Sequence, residues 1–337
     1  MSPLAAIGYA VKAPWWTLQL ATGAKSFRDN PVLGSRTLNR WGLHVARRRT
    51  AMRLAALRRA QLSRALTLEE RESFDENGYL IRHNAIADFD AFLKEVKGLR
   101  APAREMRQGQ AITRHIGLDR EVLARLPQCR AFVTDEHFLA RMHYAASYRG
   151  EPTFSVQSVI ADPQGGERDP QTLFHSDTFH PTAKAWLFLT DVAADEGPFA
   201  YVPGSHRVDA RRLDWEYRKS VEARHSSDRM NGEGSFRIDE AERAALGLPP
   251  PVRCAVPANT LIIADTSGFH ARSASPRPTH RVEIYATLRR TPFVPWTGGH
   301  SLALPPISGR HTRLHSMFGG ATWKPVGAVG AFEPASW

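Results

Sequence analysis

Three side chains in this sequence have the types and the spacing of a metal-binding site. His175 and Asp177 stand two residues apart in Gln171–Asp177, which reads Q-T-L-F-H-S-D. In an extended strand, residues two apart point to the same face, so we expect the imidazole and the carboxylate to lie side by side. They are two of the three ligands of a 2-His-1-carboxylate facial triad, which holds non-haem Fe(II) and leaves other positions open. The third ligand would come from a distant strand, and His270 in T-S-G-F-H-A-R is the candidate.

The elements that would position these residues are short strands. Stretches rich in β-branched and aromatic residues, separated by Gly, Pro and Asp clusters, lie at Thr153–Ile160, Ala185–Val192, Phe199–Val202, Thr260–Ala264 and Val282–Leu288. Many short strands with such turns favour a β-sandwich or barrel. The polar interruption at 208–251, between the second strand group and His270, is a candidate lid over the site.

The part of the chain before Tyr148 is expected to be mainly helical. Thr67-Leu68-Glu69-Glu70 has the form of a capping box, and Asn77-Gly78 is a turn signal, so a helix is expected between them. A short strand at Tyr79–Ile81 follows. Further helices are predicted from Asp88 to about Leu99, over Asp119–Leu126 with Pro127 ending it, and over Asp135–Ala146.

Composition limits the class of protein. A chain of 337 residues with 42% hydrophobic residues suits a globular core. Cys129 and Cys254 are too few for a disulfide framework or a thiolate zinc site. No apolar run approaches the roughly 18 residues that span a bilayer, and the N-terminal run has no preceding positive charge to make it a secretory signal. We therefore expect a cytoplasmic protein, at most peripheral to the inner face of a membrane.

The net charge of +11 lies in one segment. Residues 1–66 contain twelve Lys and Arg against Asp29 alone, so the rest of the chain sums to zero. Residues 1–66 are interpreted as a basic, partly helical N-terminal extension, with helix favoured between about Thr37 and Ala65. It could be a helix packed on the main domain with a solvated Arg face, or a basic, aromatic-bearing surface for anionic lipid. A nucleic-acid surface is disfavoured because no base-reading module is visible.

Taken in order, these motifs resemble those of one known family. The matching pieces are F-D-E-N-G-Y-L-I from Phe74, H-S-D at 175–177, W-L-F-L-T-D-V at 186–192, D-E-G-P-F-A-Y-V-P-G-S-H at 195–206, and a histidine followed eleven residues later by an arginine, at 270 and 281. The sequence is similar in these pieces to the phytanoyl-CoA dioxygenase family of Fe(II)/2-oxoglutarate oxygenases. The resemblance covers roughly residues 68–290.

The resemblance implies a fold and a set of site residues. The fold would be mainly β with flanking helices, a double-stranded β-helix of the cupin-like jelly-roll kind. His175, Asp177 and His270 would be the iron ligands. Arg281 would pair with the distal carboxylate of 2-oxoglutarate, a role that suits a planar, permanently charged fork. Trp186 would line the co-substrate pocket, and Gln157 is a candidate for a polar contact there.

The resulting domain division has an extension at 1–66, an oxygenase domain at 67–290 with its jelly-roll core at about 150–290, and a loop-rich tail at 291–337 packed on the core. One departure from the family is Ser275, at a position where the family often has Asn. The substrate loops of the family are also not recognisable, so an acyl-CoA substrate does not follow from the resemblance.

The function that these residues indicate is hydroxylation of a C–H bond in a small-molecule or lipid substrate, with Fe(II), 2-oxoglutarate and O2 consumed or bound. Two alternatives stay open at this point. One is a metal-binding jelly roll without catalysis, and the other is an interaction protein that acts through the basic surface of residues 1–66.

Overall fold

The computed structural model describes residues 12–164, 166–298 and 323–335. The strands in these ranges are β1 (Tyr79–Arg82), β2 (Arg100–Gln108), β3 (Ala111–Gly117), β4 (Thr153–Ala161), β5 (Ala183–Phe188), β6 (Phe199–Tyr201), β7 (Val252–Cys254), β8 (Thr260–Asp265), β9 (His270–Arg272), β10 (Thr279–Leu288) and β11 (Lys324–Gly330). Besides a helical stretch over residues 12–18, the α-helices of the described ranges are α1 (Arg36–Arg40), α2 (Leu43–Leu62), α3 (Leu68–Asn77), α4 (Phe89–Gly98), α5 (Arg120–Leu123), α6 (Pro127–Val133), α7 (Glu136–Ala146), α8 (Ala210–Glu222), α9 (Arg229–Gly232) and α10 (Glu240–Ala245).

The strands form a large and a small antiparallel sheet. The large sheet has the order β1-β8-β5-β10-β4-β3-β2-β11, and the small sheet has the order β7-β6-β9. Several neighbours, such as β1 and β8 or β5 and β10, are far apart in sequence, as in a jelly roll. The predicted fold class, a mainly β, cupin-like double-stranded β-helix with flanking helices, is confirmed.

The two faces of the large sheet pack against different parts of the molecule. On β5 the residues Ala183, Ala185 and Leu187 belong to the larger apolar core, together with side chains of the helices α3, α4, α6 and α7. Because side chains alternate along a strand, Lys184, Trp186 and Phe188 point to the opposite face. Trp186 and Phe188 pack there with Phe199 and Tyr201 of the small sheet. The functional side chains therefore lie between the two sheets.

Most of the predicted elements form where the patterns place them. The capping box at Thr67 and Glu70 begins α3, and Gly78 ends it in the left-handed conformation with φ +85°. The prediction that Pro127 ends a helix over Asp119–Leu126 is wrong, since α5 ends at Leu123 and Pro127 is the first residue of α6. Proline suits that position because the first N–H of a helix has no partner within the helix.

Strands β2, β3 and β11 are among those that lie outside the stretches predicted as strands. β2 and β3 form a hairpin that extends the large sheet beyond β4. β11 pairs with β2 and lies in the stretch 291–337, which was expected to be loop-like. Each of these strands carries Pro, Gly or several charged residues, which obscure the alternation of an ordinary strand.

The basic helix α2 buries part of its charge. Its buried face contains His44, Arg47, Arg48, Ala51, Ala55, Arg58 and Leu62. Arg58 donates to the carbonyl oxygens of Ser147, Pro292 and Val294 at 2.7, 3.1 and 2.5 Å. Arg49 and Arg53 are exposed on the opposite side. The expected solvated Arg face therefore accounts for only some of these arginines; the boundary at residue 66 stays a prediction.

Among the described helices, none combines the length and the apolar character that crossing a bilayer requires.

Candidate active site

The backbone around His175 brings it next to His270. The N–H of His175 donates to the carbonyl of His270 at 3.0 Å, and the N–H of His270 donates back to His175 at 2.9 Å. On its other side, the N–H of Ser176 donates to the carbonyl of Phe236 at 3.1 Å. The segment of His175 thus adds to the small sheet beyond β9, which places the two imidazoles on neighbouring strands.

The third side chain of the predicted triad lies in the same place. One Asp177 oxygen, Oδ1, is 3.8 Å from His175 Nε2, and the other, Oδ2, is 3.7 Å from His270 Nε2. One ligand atom from each residue can be chosen so that all three lie within 4.8 Å of one another. A single ion at their centre would be within reach of all three.

The hydrogen bonds of the imidazoles fix which nitrogens face that centre. His175 Nδ1 lies 2.8 Å from the carbonyl oxygen of Leu173, and His270 Nδ1 lies 3.1 Å from that of Gly268. A carbonyl oxygen only accepts, so each Nδ1 carries the hydrogen. Each Nε2 is then an unprotonated lone-pair donor, which is the usual arrangement of a metal-binding histidine held by an outer hydrogen bond. The donor set fits a divalent metal.

The protonation states suit the same purpose. Burial lowers the pKa of His270 to about 4. Burial, with the neighbouring His270 and Arg237, also holds the pKa of His175 well below its ordinary value. Burial alone would raise the pKa of Asp177, but Lys184 and the two histidines outweigh it and hold that pKa well below its usual range. At neutral pH the site therefore presents two neutral imidazoles and a carboxylate, the forms that bind metal.

Two lysines that the sequence analysis did not single out contact Asp177. Lys184 Nζ is 2.7 Å from Asp177 Oδ2, and its own pKa is raised by that carboxylate against the effect of burial. Lys25 Nζ donates to the main-chain carbonyl of Asp177 at 2.5 Å, and burial lowers its pKa to about 8. Lys184 shares a strand face with Trp186, a signal that alternation along β5 could have supplied. Lys25 is 152 residues from Asp177, and no pattern connects the two.

Arg281 lies inside the jelly roll, where it pairs with an acid. Arg281 Nε donates to Glu283 Oε2 at 2.7 Å, and Nη1 donates to the carbonyl of Gly197 at 2.5 Å. Gln157 donates to the other oxygen of Glu283 at 2.6 Å. Glu283 is fully buried. The two predicted co-substrate residues Arg281 and Gln157 are thus joined through one carboxylate.

A second arginine shares this region. Arg272 stands two residues after His270 on β9, and its Nη1 donates to Asp169 Oδ2 at 2.8 Å. Arg272 and Arg281 line one small cavity together with Asp169 and Gly197. The sequence analysis missed Arg272, although its position two residues from His270 indicates the same face of the strand.

Trp186 lies between the sheets and close to the triad. Its ring centroid is 4.5 Å from that of Phe199, and Phe199 is in turn 6.2 Å from the ring of His270. The ring of Tyr285, its neighbour on β10, is 6.1 Å away. Trp186 therefore forms part of an aromatic wall beside the histidine.

A large cavity opens on the same side of the large sheet. Its volume is about 880 Å³, and Ser155, Tyr285 and Thr287 form part of its lining. Tyr285 pairs in register with Trp186, and Thr287 pairs with Lys184, whose ammonium contacts Asp177. Two residues of the cavity wall, Tyr285 and Thr287, therefore lie on the strand next to the one that carries Trp186 and Lys184.

The sequence of residues 74–253 matches the profile of the family described as Phytanoyl-CoA dioxygenase (PhyH). This match covers more than half of the chain. The chain belongs to the phytanoyl-CoA dioxygenase family. As a member it is an Fe(II)/2-oxoglutarate-dependent oxygenase, and its cofactors are Fe(II), 2-oxoglutarate and O2. A search of curated proteins finds no match.

Several solved structures are similar to this chain in shape. The epimerase SnoN in complex with Fe3+, alpha ketoglutarate and nogalamycin RO is 16% identical, over 68% of this chain and 83% of that chain, with a TM-score of 0.42. The carbocyclase SnoK from nogalamycin biosynthesis is 18% identical, over 67% and 84%, with a TM-score of 0.39. HygX from Streptomyces hygroscopicus, with nickel and 2-oxoglutarate bound, is 16% identical, over 66% and 86%, with a TM-score of 0.39. Likenesses of this size transfer neither a reaction nor a substrate to this chain.

Proposed function

We propose that this oxygenase hydroxylates a C–H bond of a small-molecule or lipid substrate. One oxygen atom of O2 enters the substrate as a hydroxyl group and the other enters succinate, while 2-oxoglutarate loses CO2. The observation that carries the proposal is the convergence of one ligand atom each from His175, Asp177 and His270 within 4.8 Å.

The three side chains would hold Fe(II) from one face. Ferrous iron, when bound, supplies the activation of O2 that is coupled to oxidation of 2-oxoglutarate. The chain contributes two neutral imidazoles oriented by main-chain carbonyls and one ionised carboxylate. Because Asp177 occupies the carboxylate position, no halide can bind there, which favours hydroxylation over halogenation. Burial of the histidines at 3% and 5% exposure keeps bulk water away from the centre.

Arg281 is proposed to bind the distal carboxylate of 2-oxoglutarate, with Trp186 as a wall and Gln157 as a polar neighbour. Arg281 Nε donates to Glu283, and Nη1 donates to the carbonyl of Gly197. The co-substrate carboxylate would therefore bind the remaining nitrogen of the guanidinium, Nη2. Burial at 8% exposure strengthens a guanidinium–carboxylate contact.

The substrate is proposed to enter the cavity beside Tyr285 and Thr287. A cavity of about 880 Å³ is in the size range of sites for small organic ligands. Its lining combines apolar side chains such as Phe154 and Val326 with the polar groups of Ser155 and Thr287. Such a mixed wall suits an amphiphilic molecule.

The direct test of the reaction is succinate release by the purified full chain with Fe(II), 2-oxoglutarate and O2. We expect slow, uncoupled turnover without substrate, abolished in Asp177→Ala. A screen of metabolites and lipids, read out by stimulated succinate release, then identifies the substrate. A protein that binds Fe(II) but neither binds nor consumes 2-oxoglutarate would instead be the non-catalytic metal-binding module.

The role of Arg281 is tested by a pair of substitutions. Arg281→Met should weaken 2-oxoglutarate binding by about 10–100-fold, since it removes a charge-assisted pair. Glu283→Gln, which removes the competing charge and keeps one acceptor oxygen, should tighten it. If both variants fold and bind 2-oxoglutarate as the wild type does, Arg281 serves only its ion pair.

A peripheral contact with anionic lipid is proposed for the outer face of α2. Arg49, Arg53 and Leu57 are exposed there, Trp41 just before the helix is 79% exposed, and Leu43–Leu62 contains no acidic residue. A basic helix face with an aromatic anchor fits the interface of an anionic bilayer.

Vesicle co-sedimentation tests this contact. Wild-type protein should bind vesicles rich in phosphatidylglycerol, and this binding should weaken as the salt concentration rises. It should not bind vesicles of pure phosphatidylcholine. Arg49→Glu with Arg53→Glu should abolish binding without changing succinate release. Equal binding of the variant and the wild type would contradict the proposal.

A further inference from the structure

The N-terminal segment reaches the proposed iron site through one side chain. Lys25 Nζ donates to the carbonyl oxygen of Asp177 at 2.5 Å. Residue 25 lies well before residue 74, where the family match begins. This contact therefore belongs to a part of the chain that the family relationship does not cover.

The backbone just before Lys25 is held by Arg47 of α2. Arg47 donates from Nε to the carbonyl of Leu20 at 3.0 Å, and from Nη2 to the carbonyls of Thr22 and Ala24 at 2.9 and 2.8 Å. Its guanidinium also lies 4.3 Å from the ring centroid of Phe179. One arginine thus ties residues 20–24 to the chain just after Asp177.

The same segment fits closely against residues 232–236. The N–H of Phe27 donates to the carbonyl of Gly232 at 2.9 Å, and the ring of Phe27 stacks on Phe236 at 5.5 Å. Gly234 has φ +77°, and a Cβ there would lie 2.2 Å from the carbonyl oxygen of Lys25. Only glycine leaves room for the chain at that point.

Residues 236–238 in turn hold the strand of His175. The N–H of Ser176 donates to the carbonyl of Phe236, and the N–H of Ile238 donates to that of Phe174 at 3.0 Å. The N-terminal segment therefore supports the ligand-bearing strand from two directions, at Asp177 itself and through residues 232–238.

We propose that Lys25 is a positioning residue of the iron site, held in place by Arg47, and that it fixes the peptide of Asp177 so that the carboxylate faces the two Nε2 atoms. The inference rests on the proposed function of the triad. An ammonium can donate to a carbonyl but not accept, so it restrains the orientation of the peptide plane to which the Asp177 side chain is attached. Groups behind metal ligands commonly change metal affinity by about 10–100-fold when they are removed.

The experiment is a titration of the metal-free full chain with Co(II), a spectroscopic stand-in for Fe(II), and with Fe(II) without oxygen. Lys25→Met should weaken Co(II) binding by about tenfold and change the visible spectrum of the bound Co(II), with little change in the thermal midpoint of the metal-free protein. Lys25→Arg, which keeps a donor, should recover most of the affinity. Lys12→Met, an exposed lysine of the same segment, is the matched control and should behave as wild type.

A second variant covers the case in which Lys25→Met does not fold. Arg47 is hydrogen-bonded to the carbonyls of residues 20–24 and not to the three ligands. Arg47→Gln loosens this clamp, so it should also weaken Co(II) binding, and the double variant should bind no more weakly than Lys25→Met alone. A wild-type protein that binds no metal would contradict the proposed function itself. The positioning role is tested only where the wild type binds Co(II) and that binding depends on Asp177. In that case, a correctly folded Lys25→Met or Arg47→Gln variant with unchanged Co(II) affinity and spectrum would refute the positioning role.

Discussion

Buried charge is stabilised in two different ways in two regions of this molecule. At the triad, the Asp177 carboxylate faces an ammonium, since Lys184 Nζ lies 2.7 Å from Oδ2. On α2, the buried guanidinium groups of Arg47 and Arg58 instead donate to main-chain carbonyls, three for each arginine. The first arrangement keeps a charged ligand set ready for a metal, whereas the second uses cations as structural clamps.

Positive charge in this chain therefore has more than one role, since some arginines are buried and structural and others are exposed. Arg47 and Arg58 are unavailable to any external partner because they are buried and bonded. Arg49 and Arg53, on the same helix, remain exposed. Of these four arginines, only Arg49 and Arg53 can contribute to an electrostatic contact with a membrane, so the count of basic residues overstates the basic surface.

The largest expected effect separates the two groups of arginines. Arg58→Met should lower the free energy of unfolding by about 3 kcal/mol or more, because three carbonyl oxygens lose charged donors inside the protein. Arg53→Met, the same change on the exposed side of α2, should stay within about 0.5 kcal/mol of wild type. Urea unfolding measures both. Similar losses for the two variants would mean that α2 does not bury its charge as described.

An intermediate effect concerns a buried imidazole outside the triad. His206 is 3% exposed, and burial lowers its pKa to about 3. The unfolded chain takes up a proton near pH 6.5 and the folded chain does not, so stability is complete above pH 6.5 and falls as the pH drops toward 3. At pH 5 the loss from this residue should be about 2 kcal/mol.

The check is urea unfolding of the metal-free protein at several pH values, compared with His206→Gln. The variant should show a shallower dependence on pH between 7 and 5. An identical slope in the two proteins would show that His206 is not buried in its neutral form.

The smallest effect lies at the junction between the N-terminal segment and the jelly roll. Thr67→Ala removes the side-chain cap of α3 and should cost about 1 kcal/mol. Because α2 is bonded into the body of the protein, tryptophan fluorescence and circular dichroism should report one shared transition. Two separate transitions would instead support an independent extension.

The alternation of strands and the capping signals predicted much of the fold. The spacing of His175 and Asp177 was enough to expect their shared face, and the family motifs indicated His270. β2, β3 and β11 were missed because their Pro and charged residues obscure a period of two. Lys25 was missed for another reason: its role arises from a contact with Asp177, 152 residues away, which local pattern does not encode.

The central claim is that His175, Asp177 and His270 together bind Fe(II) and thereby recruit 2-oxoglutarate. Titration of the metal-free chain with Fe(II) in the absence of oxygen, with and without 2-oxoglutarate, tests it most directly. We expect one Fe(II) per chain, 2-oxoglutarate binding that requires the metal, and at least about 100-fold weaker Fe(II) binding by Asp177→Ala. Equal Fe(II) affinity in the wild type and a folded Asp177→Ala variant would contradict it.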